Sequence, residues 1–280
     1  MKKITAVLVL SCTILLVGSC SEGNRHVNLR FKYVEGMLLK YEQVSKGSVT
    51  VIKADTVYSE QPTNHTASVT QEVTRFLNDS TAEIREIGTW ESTRPSEEDS
   101  TQMVTVERRV ETLLHILPNG KVADFEVVDL PRRYRASYAR SYFDQGMPVF
   151  PSGERPIGYS WTQTTKVVLP EEAMEASITF EIKSLVRYAG YDCAVIDYEG
   201  NLVIPVDPVP DDSTQRQGID RVMIKGLMYF GYKEGLIIEQ RESWNVDGER
   251  RRLEEGEFVN FRVEIIYNQT FRLLGRETKS

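Results

Sequence analysis

Apolar and polar residues alternate with a period of two over long stretches of this chain. Ile178, Phe180, Ile182, Val186 and Tyr188 share one parity, and Thr179, Glu181, Lys183 and Arg187 share the other. Val104, Val106, Val110, Leu114 and Ile116 alternate against Thr105, Glu107, Arg109 and Glu111 in the same way, as do Phe261, Val263, Ile265 and Tyr267 against Arg262 and Glu264. Side chains on a strand point to opposite faces in turn, so this pattern predicts long antiparallel strands with one buried face. Asn119-Gly120, between two such runs, predicts a two-residue type I′ hairpin. Asn78-Asp79, Ala189-Gly190 and Glu234-Gly235 predict weaker turns of the same kind.

One segment breaks the period. Pro131 suits a first helical turn, and Arg132 to Gln145 holds no glycine, proline or β-branched residue before Gly146. A helix over 131–145 would align Tyr134, Tyr138 and Tyr142 on one face. Those tyrosines either pack the helix onto the sheet or, at Tyr138 and Tyr142, border a ligand cavity. Around this helix the chain repeats itself. Thr74–Ile84 aligns without a gap to Val186–Ile196, and Leu113–Val122 parallels Met228–Ile237 at nearly the same offset. The common order of strand, turn and loop predicts a duplicated meander.

The start of the chain carries an address. Met1-Lys2-Lys3 is a basic n-region, and Ile4 to Val17 is an almost unbroken apolar run of about 14 residues, too short to span a bilayer, which takes ~20. Val17-Gly18-Ser19-Cys20 resembles a bacterial lipobox: branched aliphatic, small, small, cysteine. The resemblance implies cleavage before Cys20, a diacylglycerol on its sulfur and a further acyl chain on its amine. Stable anchoring takes two or more chains, so the implied anchor is sufficient. Ser21 in place of aspartate implies outer-membrane sorting, with the protein facing the periplasm or the cell surface. Cleavage removes Lys2, Lys3 and no acid, taking the net charge from −7 to −9.

That negative charge argues against nucleic acid as a partner. Chemistry is sparse elsewhere. Beyond the lipid-bearing Cys20, Cys193 is the lone cysteine of the mature chain, so no internal disulfide can form, and its strand context predicts a buried hydrophobe. His26, His65 and His115 are isolated, and no metal, phosphate-loop, dinucleotide or nucleophile-elbow motif occurs. Asp207, Asp211 and Asp212 lack EF-hand spacing and predict a solvated loop. These absences predict a protein that is not an enzyme and needs no cofactor.

Met147 to Trp161 reads Met-Pro-Val-Phe-Pro-Ser-Gly-Glu-Arg-Pro-Ile-Gly-Tyr-Ser-Trp. This Pro-rich segment, ending in Gly-x-x-Trp, resembles one in families of uncharacterised bacterial lipoproteins, where it follows a helix and opens the second half of a β-rich domain. Those families are similar to the LolA/LppX-like half-barrel. The resemblance implies an unclosed antiparallel sheet that wraps helices and binds acyl chains on its concave face. Against it, the sequence holds one good helix where such carriers have several.

The expected organisation is a leader (1–19), a lipidated tether (20–27) and one β-rich α+β domain (28–280). Within it, halves at about 28–130 and 157–275 form a curved antiparallel sheet or unclosed half-barrel, joined by the central helix 131–145 and a Pro-rich crossover. The expected function is a membrane-anchored envelope lipoprotein whose concave face takes a hydrophobic or lipid-like ligand. The competing expectation is an envelope scaffold that binds another envelope protein and fills that face with its own side chains.

Overall fold

A computed structural model describes residues 25–77, 80–95, 103–129, 144–168, 173–206 and 217–279. The predicted strands form, and they are long. After the short β1 (His26–Asn28), the first half runs β2 (Met37–Lys53), β3 (Thr56–Phe76), β4 (Ala82–Pro95), β5 (Met103–Ile116) and β6 (Val122–Asp129). After β7 (Glu154–Pro156), the second runs β8 (Ser160–Val168), β9 (Ala173–Tyr188), β10 (Tyr191–Val206), β11 (Gln217–Gly231), β12 (Leu236–Glu254) and β13 (Glu257–Thr278).

Eleven of these strands make one antiparallel sheet in the order β6-β5-β4-β3-β2-β13-β12-β11-β10-β9-β8. Each half is an up-and-down meander, and the two meet where β2 pairs with β13. The two segments of each internal repeat lie on hairpins at one common end of the sheet, β3–β4 with β9–β10 and β5–β6 with β11–β12. The sheet is curved and unclosed, with β6 and β8 as its edges. The chain between 129 and 160 therefore has to travel from one edge to the other.

At the end carrying the 117–121 and 231–236 turns, two extended segments fill the curve of the sheet. Residues 25–36 enter from the N-terminus and 147–159 from the crossover, and β1 pairs with β7 between them. Phe31 stacks on Phe150 at 5.3 Å, and both meet Phe230 of β11, at 5.3 and 4.7 Å. Backbone bonds fix this plug to the hairpin loops: Phe31 N donates to Pro118 O (2.8 Å), Phe150 N to Asn119 O (2.8 Å) and Lys32 N to Gly235 O (3.2 Å). Gly120 and Gly235, both at positive φ, make room for this approach. A Cβ on Gly120 would lie 2.3 Å from Pro148 O, and one on Gly235 would lie 2.4 Å from Lys32 N.

The central helix is not what holds the sheet's concave side among the described residues. Helical geometry there is confined to 144–146, and 131–143 with Tyr134, Tyr138 and Tyr142 lies outside the described residues. Gln145 is buried, and its amide stands in for a neighbouring strand. Its Nε2 donates to Val203 O and its Oε1 accepts from Val203 N, both at 2.8 Å, just past the point where β9 stops pairing with β10.

Two local expectations are corrected. The Asn119-Gly120 turn is a three-residue loop, with Leu117 N donating to Lys121 O and Gly120 alone at positive φ, so it is a type I turn with a glycine bulge. The type I′ geometry instead occurs at Ala189-Gly190, where both residues have positive φ between the paired Tyr188 and Tyr191. The alternation in β9 also breaks. Ser184 pairs with Val195 but Ile182 pairs with Ile196, so Lys183 is the extra residue of a bulge. Beyond it the faces exchange: Leu185 turns toward the core and Val186 is 38% exposed.

Candidate functional site

Past the aromatic plug, the concave face stays open. A cavity of about 450 Å³ lies over β2–β5, β12 and β13, with Phe31, Tyr33 and Met147 of the plug at its floor. Its walls follow from strand parity, since alternate residues of neighbouring strands stand in cross-strand rows on one face. One row runs Leu39 (β2), Gln71 (β3), Glu86 (β4) and Thr112 (β5). Tyr41, Val69, Gly88 and Val110 form the next row. Gln71, Glu86 and Thr112 are thus a short polar strip within an apolar wall.

Gln71 Nε2 donates to Glu86 Oε2 at 2.7 Å. Burial raises the Glu86 carboxyl above its usual range, and the bond from Gln71 offsets only part of this. Thr112 is 6% exposed, and its Oγ1 has no hydrogen-bond partner among the described residues. Burial also raises Tyr33 and Tyr41 well above an ordinary tyrosine, so both are neutral donors at neutral pH.

A second buried carboxyl, not itself among the lining residues, is held by side chains of the opposite wall. Glu242 of β12 accepts from Tyr198 Oη (2.6 Å), Trp244 Nε1 (2.8 Å), Gln269 Nε2 (2.5 Å) and Gln240 Nε2. Gln43 Nε2 in turn donates to Gln269 Oε1 at 2.9 Å. Neutral donors therefore satisfy Glu242. Two glycines seat the rings of this site on the sheet: a Cβ on Gly226 would lie 2.2 Å from Tyr198 Cζ, and one on Gly88 would lie 2.1 Å from the Trp90 ring. Among the described residues that line the cavity there is no lysine or arginine.

A second cleft, of about 430 Å³, marks the seam between the edge strands, where Val122 of β6 faces Trp161–Thr165 of β8 across Met147. Gln163 and Trp161 hold the crossover there through Val149: its N donates to Gln163 Oε1 (3.0 Å) and its O accepts from Trp161 Nε1 (3.1 Å). Outside the cavity, Glu239 is 1% exposed on β12. Burial acts to raise its carboxyl, but bonds from Arg272, Tyr188 and Arg241 hold it below the usual range.

Cys20, Tyr138 and Tyr142 all lie outside the described residues. Cys193 is buried in β10, and burial pushes its thiol up to about 11. The polar cavity residues were visible only as exceptions. Thr112 sits on the apolar parity of Val110 and Leu114, as Glu86 does between Ile84 and Gly88. Among the described residues there is no group of metal-ligating side chains and no helix long and apolar enough to cross a membrane.

No family model and no curated protein matches the chain. Among solved structures, it is similar to an outer membrane channel from Pseudomonas putida F1 at 9% identity and a TM-score of 0.31, over 87% of this chain and 97% of the channel. The Salmonella SPI-1 type III secretion injectisome secretin InvG aligns at 10% identity and a TM-score of 0.15, over 91% of this chain and 66% of the secretin. At such scores the likeness carries nothing about fold or activity.

Proposed function

We propose that this chain is a lipid-anchored lipoprotein of the bacterial cell envelope, not an enzyme, whose concave sheet face binds a hydrophobic or lipid-like ligand. The supporting observation is the open volume of about 450 Å³, walled by Tyr41, Val69, Leu114, Trp244 and Phe271. Ligand sites are typically such concavities, mostly apolar with a few placed polar groups. A scaffold would fill this face with its own side chains. Anchoring at Cys20 and placement in the outer membrane rest on the leader, the lipobox and Ser21.

The test is native mass spectrometry with lipid extraction on the chain from Ser21, secreted and purified without detergent, beside a Val110→Trp variant that fills the cavity. The expected result is a hydrophobic molecule retained by the wild type and lost from the variant. An empty wild type, or equal loading of the two proteins, overturns the reading.

A further inference from the structure

The polar strip in the cavity wall has a direction of charge. Gln71, Glu86 and Thr112 stand side by side on β3, β4 and β5, in one cross-strand row. The Gln71 bond occupies Glu86 Oε2, and the buried Thr112 hydroxyl has no partner among the described residues. A polar group nine-tenths buried and facing an open cavity is costly unless something comes to meet it. Aromatic rings line the same cavity, with Tyr41 stacked on Phe271 at 4.4 Å and Trp244 on Tyr267 at 5.4 Å.

Resting on the reading of the cavity as a ligand site, we propose that its ligand is an amphiphilic amine: the ammonium group binds between Glu86 and Thr112 Oγ1, and the chain lies among Leu39, Val69 and Phe271. An ammonium has three donors and no acceptor, which suits a strip offering a carboxyl oxygen and a hydroxyl oxygen. Aromatic faces add cation–π attraction. A carboxylate or phosphate head would instead enter beside the Glu86 acid with no cation in the described lining.

The groups around Glu86 give binding its pH dependence. Gln71 and Thr112 flank it and do not ionise, and Tyr33 and Tyr41 stay neutral because burial raises both. Arg108 shares the parity of Thr112 two rows away, opposite Trp90, but does not line the cavity. Burial keeps the empty site's carboxyl protonated to higher pH than an ordinary glutamate. At a pH below the empty site's pKa, binding ionises it: the carboxyl O–H bond breaks, the proton leaves to solvent, and the carboxylate pairs with the ammonium. Affinity rises with pH up to the Glu86 pKa of the empty protein and levels off above it.

Isothermal titration of the chain from Ser21 with decylammonium, decanol and decanoate tests this, in two buffers of different ionisation enthalpy. All described strands lie within that chain. Decylammonium is expected to bind at least about tenfold tighter than decanol, with decanoate weakest and a proton released only with the amine. Glu86→Gln, isosteric with the protonated acid, should reduce the amine to the affinity of the alcohol. Proton release from the wild type is a measurement that needs no variant to fold. Decanoate binding as tightly as the amine, no proton release at any pH of a titration series, or an unchanged preference in Glu86→Gln overturns the proposal. If decanol binds as tightly as the amine, the cavity reading survives alone; if none of the three binds, both fall.

Discussion

Replacing Gly226 with alanine probes the coupling between sheet and cavity wall. Gly226 of β11 lies directly opposite Tyr198 of β10 and Glu242 of β12. The Tyr198 ring rests on its Cα and so reaches Glu242 with a 2.6 Å bond, while the side chain is 5% exposed. A Cβ here would stand 2.2 Å from Cζ and 2.3 Å from Oη, far inside contact distance. The ring has to move. Overpacking of this kind costs about 1–3 kcal/mol. A weakened bond to a charged group costs about 1.5–3 kcal/mol, while leaving glycine for alanine in a strand returns about 0.5–1 kcal/mol. Gly226→Ala should therefore lose about 1.5–5.5 kcal/mol in urea denaturation, with an unchanged m-value. Tyr198→Ala alone should lose about 3–5 kcal/mol, and the double variant should be no less stable than Tyr198→Ala. Losses that simply add would mean that the ring does not occupy the space over Gly226.

Other expectations rest on separate parts of the molecule. Arg75 pairs with Glu83 through two bonds, at 3.0 and 2.8 Å, and Thr74 adds a third, holding the carboxyl down to about 2. A depressed carboxyl stabilises the fold above its unfolded pKa and loses that contribution as pH falls to the folded value. Glu83→Gln should thus flatten the stability profile between the ordinary glutamate pKa and about pH 2, read by thermal melts across that window. Cys193, buried and with its thiol raised to about 11, should react with a maleimide in native protein no faster than global unfolding allows; rapid labelling would contradict this burial. Cys20→Ser should abolish palmitate labelling and release the protein from the membrane fraction, and unchanged labelling would refute anchoring at that residue.

Much of the sheet was legible because a period of two survives wherever one face is buried. The parities of β5 and β13 follow it. The pattern failed at Lys183, since a bulge adds one residue without any change in composition and exchanges the faces beyond it. At Asn119-Gly120 the hairpin forms but the turn type differs. Asn119-Gly120 favours positive φ at both positions, but a type I turn brings Gly120 against Phe31 and Pro148, and that packing selects the longer loop. Alternation could not reveal that β2 pairs with β13, because only the long-range closure of the two meanders produces that contact. It also hid the plug. Residues 20–27 read as a tether, yet Val27 within it is buried together with Leu29 and Phe31 against the Pro-rich crossover. In the cavity, Glu86 and Thr112 violate the alternation on the apolar parity, a signal that can be recognised once the neighbouring strands are in register.

The most direct test uses the three tryptophans of the chain. Trp90 and Trp244 line the concave cavity, whereas Trp161 lines the seam cleft and packs on Phe180 at 5.1 Å. A bromine-bearing amphiphile such as bromoundecanol quenches indole fluorescence on contact, and two variants separate the reporters. The account predicts saturable quenching in Trp161→Phe, which keeps Trp90 and Trp244, and none in the Trp90→Phe/Trp244→Phe protein, which keeps only Trp161. Quenching of Trp161 alone, or of no tryptophan at any concentration, would contradict a ligand on the concave face.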